Sequence, residues 1–171
     1  MTAVPPEKPY RLRTKFVATK NVHEYRETIA TCVNKDDTVL EIGCEFGITT
    51  ALLAEASREV LGTDISAECL ERAREKYPHV RFEVLDGFDV RAALDFGMPF
   101  TKIYIDMSGM SGYRSLLDAI ALLNTYAAVL RPKLIVAKSN SLKNFASQCF
   151  PWNAYKGNWP KFVQKDLTAE E

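Results

Sequence analysis

The apolar positions along the chain follow two different spacings. Short runs of consecutive apolar residues, rich in Val, Ile and Leu, alternate with longer segments in which apolar residues recur at helical intervals. The short runs are typical of buried strands, and the longer segments are typical of helices with one buried face. Five strands are predicted, over residues 38–43, 59–64, 80–85, 102–106 and 133–138.

Helices are predicted before the first strand, between successive strands and after the last strand. They cover residues 21–33, 47–56, 66–77, 90–94, 113–130 and 142–150. Asn21 and Glu24 have the spacing of a capping box at the start of the first helix. Strands separated by helices of this length pair in parallel through right-handed crossovers. The sequence therefore predicts an α/β fold, a doubly wound, mainly parallel, Rossmann-like sheet with helices on both faces.

Composition and charge restrict the class of protein. The chain has 171 residues, which suits one domain, and its 22 Lys and Arg balance its 22 Asp and Glu. This balance gives no global sign of nucleic-acid binding, and no apolar run approaches the length that crosses a membrane. The four cysteines form no CxxC pair and the two histidines are isolated, so no metal site is expected. With no secretory segment, we expect a cytoplasmic protein, although organelle import of a longer precursor stays open.

Acidic residues and a glycine turn follow the predicted strands at their carboxyl ends. In a doubly wound sheet this is the edge where ligands bind. Gly43 and Gly47 bracket a tight turn after the first strand, and the next three strands end at Asp64, Asp86 and Asp106. Each residue alone could serve only as a turn residue or a helix cap. Together they favour a nucleoside site, in which a carboxylate accepts the hydroxyls of a ribose.

These segments resemble the motifs of a known family. Residues 39–47, 61–65, 85–87 and 104–106 are similar, in order and spacing, to the first four motifs of the class I S-adenosylmethionine-dependent methyltransferases. The resemblance covers about residues 20–140. It implies S-adenosylmethionine as the cofactor and the strand order 3-2-1-4-5. The two further strands that usually follow in the family, strands 6 and 7, are expected to be missing or reduced.

The resemblance also implies a set of cofactor-binding residues. They are Glu41, Gly43, Cys44, Glu45, Gly47, Asp64, Ile65, Asp86, Gly87, Phe88 and Asp106. In this scheme Asp64 holds the ribose, Asp86 and Phe88 hold the adenine, and Asp106 faces the sulfonium and the substrate. Glu45 stands where the family usually has glycine. Its negative charge also argues against a dinucleotide, because a pyrophosphate would meet this carboxylate.

Three residues are predicted to be catalytic: Asp106, Lys138 and Tyr113. Lys20, Asp106 and Lys138 are similar in placement to residues of the ribosomal-RNA 2′-O-methyltransferases, although no clear match to the later glutamate of those enzymes is present. A lysine beside a carboxylate could deprotonate a hydroxyl group. The alternative is that Lys138 is an ordinary surface lysine at the end of a strand.

The two ends of the chain differ in composition from its centre. Residues 1–20 form a predicted basic arm, 21–150 the predicted cofactor-binding domain, and 151–171 a predicted tail of interleaved aromatic and lysine residues. The arm and the tail could contact RNA, by charge and by stacking. Alternatively, the arm is a solvated leader and the aromatic rings cover the edge of the sheet. Three functions are therefore open: a methyltransferase, with RNA as one candidate acceptor; a cofactor-binding module that acts through a protein partner without turnover; or another nucleoside-using enzyme on the same fold.

Overall fold

A computed structural model describes residues 12–107 and 112–149, with the backbone alone at Tyr113. One sheet contains β1 (Lys15–Thr19), β2 (Thr38–Ile42), β3 (Glu59–Asp64), β4 (Arg81–Val84), β5 (Lys102–Ile105) and β6 (Leu134–Lys138). The helices are α1 (Val22–Cys32), α2 (Ile48–Ala56), α3 (Ala67–Lys76), α4 (Val90–Asp95), α5 (Leu116–Val129) and α6 (Asn140–Gln148). A short 3-10 helix, Tyr113–Ser115, precedes α5.

The strand order is β1-β6-β5-β2-β3-β4, and every pair is parallel. The predicted α/β class and all five predicted strands are confirmed, and the predicted order corresponds to β4-β3-β2-β5-β6. From β2 the chain builds outward through β3 and β4, and it then returns to the other side of β2 to form β5. The order therefore reverses between β2 and β5, which is where a doubly wound sheet opens a crevice at its carboxyl edge.

The strand β1 is the main difference from the prediction. It lies within the segment assigned to the basic arm, and it pairs with β6 in the register Lys15↔Leu134 to Thr19↔Lys138. The hydroxyl of Thr14 extends this contact by donating to the Pro132 carbonyl at 2.7 Å. The edge beside β6 is therefore occupied by β1, at the place where the sequence predicted cover by C-terminal aromatic rings. Those rings, in 151–171, lie outside the described residues.

Helices pack on both faces of the sheet, as the sequence predicts. One buried cluster contains Leu40 and Ile42 of β2 with residues of α4 and α5, and the other contains Val39 with residues of α1, α2 and α3. Side chains alternate between the two faces along a strand. Glu41 therefore shares the face of Val39, under α1 and α2, and all five residues of β2 are buried. A central strand buried on both faces places a carboxyl group inside the protein.

Candidate functional site

Two adjoining clefts open at the carboxyl edge of the sheet. The larger has a volume of about 600 Å³ and the smaller about 280 Å³. Both are lined by Gly43, Glu45, Asp106 and Lys138, so they meet beside the switch point between β2 and β5. The predicted site residues that line only the larger cleft are Asp64, Ile65, Asp86, Gly87 and Phe88. Those that line only the smaller cleft are Glu41 and Cys44.

Gly43 brings the turn after β2 into direct contact with the end of β5. Its φ is +81°, and its N–H donates to the carbonyl of Thr63 at 2.8 Å. A Cβ at this position would lie 2.1 Å from the carbonyl oxygen of Asp106. Only glycine suits both the left-handed conformation and this close approach. The absence of a side chain at residue 43 therefore lets this turn pack against the end of β5, where the two clefts meet.

Gly47 has a different role from the one that the resemblance implies. It lies outside the walls of both clefts and forms the N-cap of α2, with a φ of 74°. A Cβ at Gly47 would come within 2.6 Å of the ring of Phe82. This glycine thus fixes the start of α2 from behind the site. Tyr113 begins the 3-10 helix before α5, and its side chain lies outside the described part of the structure.

Asp64, at the end of β3, fixes the loop after β2. One carboxylate oxygen accepts the backbone N–H of Glu45 at 2.9 Å, and the other accepts the N–H of Ser66 at 2.9 Å. The N-cap of the following helix is Ser66, whose hydroxyl accepts from Cys69. Each carboxylate oxygen offers about two acceptor positions. Asp64 is therefore not consumed by capping, and each of its oxygens can accept one more hydrogen bond from a group in the cleft.

The end of β4 contributes an acid and an apolar wall. Asp86 accepts the N–H of Phe88 at 3.0 Å, and the following helix is capped by Asp89 instead. Phe88 and Ile65 are 57% and 69% exposed, and both line the larger cleft. Exposed apolar groups beside a carboxylate suit a flat, partly polar ring, which needs apolar contact on its faces and a hydrogen-bond acceptor at its rim.

Lys138 and Asp106 form an ion pair where the clefts meet. The Lys138 Nζ lies 2.5 Å from the Asp106 Oδ1, and the two side chains are only 27% and 18% exposed. Lys138 is the last residue of β6 and Asp106 follows β5, and these two strands are neighbours in the sheet. Lys20 does not join them: its exposed position follows β1, outside the walls of both clefts, and its N–H donates to Glu24. Of the three residues with similar placement in the sequence, the structure thus brings two together.

Arg26, a residue of the smaller cleft, was absent from the predicted site residues. Arg26 of α1 lines this cleft, and its Nε donates to the hydroxyl of Thr49 at 2.9 Å. The sequence signal was an arginine four residues after Val22, on the edge of the apolar face of a helix. The neighbouring Tyr25 is fully buried, and its hydroxyl has no hydrogen-bond partner within the described ranges.

Glu41 lies in the same wall and is 1% exposed. The hydroxyl of Thr50 donates to its Oε2 at 2.5 Å. Burial raises the pKa of Glu41 to about 8, with Asp106 and Asp64 adding to the rise, while Thr50 and Arg26 oppose it. Burial also raises the pKa of the Cys44 thiol, which makes this cysteine a poor nucleophile.

Other site types find no support in the part of the chain that the structure describes. Within residues 12–107 and 112–149, no group of three or more His, Cys, Asp or Glu side chains could hold a metal ion. The same ranges contain no helix with the length and apolar character needed to span a membrane.

Comparison with known proteins identifies a family. The sequence profile of the family described as "Methyltransferase domain" matches residues 39–133, which is more than half of the chain. No curated protein matches the chain. The matched segment begins in β2 and ends just before β6. It therefore contains the loops that carry Gly43, Asp64, Asp86 and Asp106.

Three solved structures illustrate the similarity in fold. DesVI from Streptomyces venezuelae has 17% identity over 68% of this chain and 48% of its own, with a TM-score of 0.53. YcgJ from Bacillus subtilis has 21% identity over 59% of this chain and 45% of its own, with a TM-score of 0.43. CalS10, an amino pentose methyltransferase from Micromonospora echinaspora, has 19% identity over 61% of this chain and 42% of its own, with a TM-score of 0.43. The chain thus spans less than half the length of each.

The clefts fit the cofactor that the sequence resemblance implies. Asp64 has free acceptor positions for ribose hydroxyls. The larger cleft has four acidic side chains, Glu45, Asp64, Asp86 and Asp106, against Lys138 alone. This negative lining suits a cationic ligand and opposes a pyrophosphate.

Proposed function

We propose that this chain, which belongs to the family of methyltransferase domains, catalyses the transfer of a methyl group from S-adenosylmethionine to an acceptor. The family match confirms the predicted methyl donor. S-adenosylmethionine supplies an electrophilic methyl group on a positively charged sulfur. The observation that carries the proposal is the junction of the two clefts, where the Gly43 turn packs directly against the end of β5 and the Asp106–Lys138 pair lies.

We assign the larger cleft to the adenosine part of the donor. Asp64 would accept the ribose hydroxyls, because both of its oxygens retain an acceptor position. Asp86 would accept the adenine amino group, and Phe88 and Ile65 would cover the ring. Gly87 has no side chain to intrude: a Cβ there would come within 2.6 Å of the Met107 sulfur.

We assign the smaller cleft to the methionine part of the donor. Arg26 and Glu41 both lie in its wall. The Arg26 guanidinium suits the carboxylate of the methionine part, and the Glu41 carboxyl group suits its ammonium group. Arg26 is held by Thr49 through Nε, which leaves its other N–H groups for a ligand. The two clefts share one boundary, so a donor that spans both would place its sulfur near Asp106.

Asp106 and Lys138 are the groups that we assign to the acceptor. Methyl transfer from a sulfonium needs alignment of the reacting atoms more than an elaborate set of acids and bases. The ion pair with Lys138 fixes the Asp106 carboxylate, whose second oxygen can accept a proton from a hydroxyl or amino group of the acceptor. A hydroxyl or amine acceptor is consistent with this arrangement. The predicted role of Tyr113 remains a prediction.

RNA is the acceptor that we would test first. Support comes from the sequence, in the basic residues of the first 26 positions and the aromatic and lysine residues of 151–171. Within the described part of the chain, Arg13, Lys15 and Lys20 continue the basic segment up to the start of α1. Of these, Lys20 follows the register pair Thr19↔Lys138 at the carboxyl edge, whereas Lys15 pairs with Leu134 at the opposite edge of the sheet. Positive charge at the carboxyl edge would attract a polyanion.

Incubation of the chain with S-adenosylmethionine carrying a radiolabelled methyl group tests the proposal. The panel should contain structured RNAs, proteins and small amines and alcohols, and Asp106→Asn should serve as the matched variant. We expect label transfer to one acceptor class and a loss of at least about tenfold in Asp106→Asn. Calorimetry with S-adenosylhomocysteine should accompany it. Binding without label transfer to any acceptor would favour the binding module, and absence of binding would contradict the proposal.

A further inference from the structure

Glu41 is a buried carboxyl group in the wall of a cleft assigned to a cationic ligand. Among the described residues, Asp37 is the other buried acid, and it lies at the amino end of the sheet, bonded to Thr101. Glu41 has Thr50 as its donor, at 2.5 Å. A buried carboxylate is costly unless it is well paired, so such a group lowers its free energy by holding a proton.

The surroundings of Glu41 decide its charge, and they come from every element packed against β2. From α1 come the Tyr25 hydroxyl and the Arg26 guanidinium, and from the loop before α2 comes the Cys44 thiol. From the ends of β3 and β5 come two carboxylates, those of Asp64 and Asp106. Two further groups complete the set. Tyr104 of β5 is paired in register with Glu41 and its ring contacts Tyr25, and Lys138 of β6 lines the same cleft.

Arg26 is the cation acting on Glu41, and it is opposed by two acids and by nearly complete burial. Lys138 lines the same cleft but is already paired with Asp106. The smaller cleft without a ligand therefore favours the neutral form of Glu41 at neutral pH. A cation that entered this cleft would change the balance in favour of the carboxylate.

We propose that Glu41 is a specificity-determining residue that couples binding of the methyl donor to release of a proton. The free protein holds this proton on the Glu41 carboxyl group, and the proton passes to solvent when the cationic donor occupies the clefts. S-adenosylmethionine carries one more positive charge than S-adenosylhomocysteine, because only the former has a sulfonium. Both ligands carry the ammonium group that we assign to Glu41, so both release the proton. The sulfonium adds a second positive charge in the donor, which increases the release and favours the donor over the product of its own reaction. This inference rests on the proposed function.

The coupling predicts how affinity for the donor varies with pH. Because the pKa of Glu41 in the free protein is about 8, affinity for S-adenosylmethionine rises with pH up to this value and becomes constant above it. The slope below it approaches tenfold per pH unit. Affinity for S-adenosylhomocysteine rises less steeply over the same range.

Titration calorimetry in two buffers with different ionisation enthalpies measures the number of protons released. At pH 7 we expect about 0.9 proton per S-adenosylmethionine bound, and fewer for S-adenosylhomocysteine. Glu41→Gln should abolish the release. Asp95→Asn is the control, because it removes an exposed carboxylate that lies outside both clefts and should leave both binding and proton release intact.

Thr50→Val provides a test that keeps the carboxyl group. Loss of the Thr50 hydroxyl removes a hydrogen bond that lowers the pKa of Glu41, so the pH range of proton release should shift upward, and Thr50→Ser should restore it. Tight binding of S-adenosylmethionine with an enthalpy that is the same in both buffers would overturn the inference and leave the proposed function standing. Absence of binding in any buffer would instead contradict the proposed function.

Discussion

The carboxylate of Asp64 and the backbone N–H of Glu45 are joined by a hydrogen bond of 2.9 Å across the mouth of the larger cleft. The bond connects the end of β3 to the loop after β2, and it holds Glu45 at a φ of 49°. A non-glycine residue in this left-handed conformation is strained by about 1–2 kcal/mol. The loop therefore depends on Asp64 for its shape, in addition to any contact that Asp64 makes with the donor.

Replacement of Asp64 with Ala should lower affinity for S-adenosylhomocysteine by at least about tenfold, since one hydrogen bond to a charged group contributes about 1.5–3 kcal/mol. Calorimetry measures this loss. Asp95→Ala is a suitable control, because Asp95 is an exposed acid at the end of α4, outside both clefts. Equal affinities for the Asp64 variant and the unaltered chain would remove the ribose assignment.

Gly43→Ala should be far more damaging than Gly97→Ala, although both glycines have positive φ. At Gly43 the new Cβ meets the Asp106 carbonyl oxygen at 2.1 Å, whereas at Gly97 nothing lies within 4 Å. We expect Gly97→Ala to cost about 1 kcal/mol from backbone strain alone. Gly43→Ala should cost more than about 2 kcal/mol and also abolish cofactor binding. Urea denaturation of the two variants compares them, and equal losses of stability would contradict the close contact at Gly43.

Lys138→Met should reduce the rate of methyl transfer by more than about tenfold, since it leaves Asp106 without the cation that fixes it. Lys143→Met is the matched control. It also breaks a lysine–carboxylate pair, with Glu24 at 2.7 Å, but this pair joins α6 to α1 outside the walls of both clefts. Single-turnover kinetics with the identified acceptor separate the two. Similar rates for both variants would support the view that Lys138 is an ordinary surface lysine.

Glu41 should also make the stability of the fold depend on pH. The pKa of Glu41 is raised in the folded state, so its contribution is fully present below the unfolded value of 4.5 and is lost as pH rises through about 8. The free energy of unfolding of the Glu41→Gln variant should depend less on pH, and at high pH the variant should be more stable than the unaltered chain. Urea denaturation at about pH 5 and about pH 9 tests the difference. If the variant loses as much stability as the unaltered chain when the pH is raised, groups other than Glu41 cause that loss.

The capping of α1 shows how far local sequence patterns reach. Asn21 accepts the N–H of Glu24 as its spacing predicts, since a capping interaction involves residues only three positions apart. In a capping box the Glu24 carboxylate would also accept the N–H of Asn21. Here it accepts the N–H of Lys20 at 2.7 Å instead, and it also pairs with Lys143 of α6. The position of α6 relative to α1 is a long-range property, and no local pattern predicted this second contact.

The alternation of strands and helices, and the residues at the strand ends, were determined by the sequence itself. Hydrophobic periodicity is local, so it reports the five predicted strands without knowledge of their neighbours. The short strand β1, in which Lys15 and Phe16 are both exposed, lacks a clear pattern of this kind. It forms through pairing with β6, more than a hundred residues away, and such pairing has no local signal.

Strand order decided which of the similarly placed residues meet. Lys20 follows β1 and Lys138 is the last residue of β6. Because β6 adjoins β5 whereas β1 lies one strand further from it, Lys138 reaches Asp106 and Lys20 does not. Glu41 is likewise recognisable in the sequence as a motif residue. Its burial between α1, α2 and the neighbouring strands, and hence its tendency to hold a proton, arises only when those elements pack. The sequence thus determined which side chains lie at the carboxyl edge, and the tertiary structure determined their partners and charges, because burial and electrostatic contact depend on residues distant in the chain.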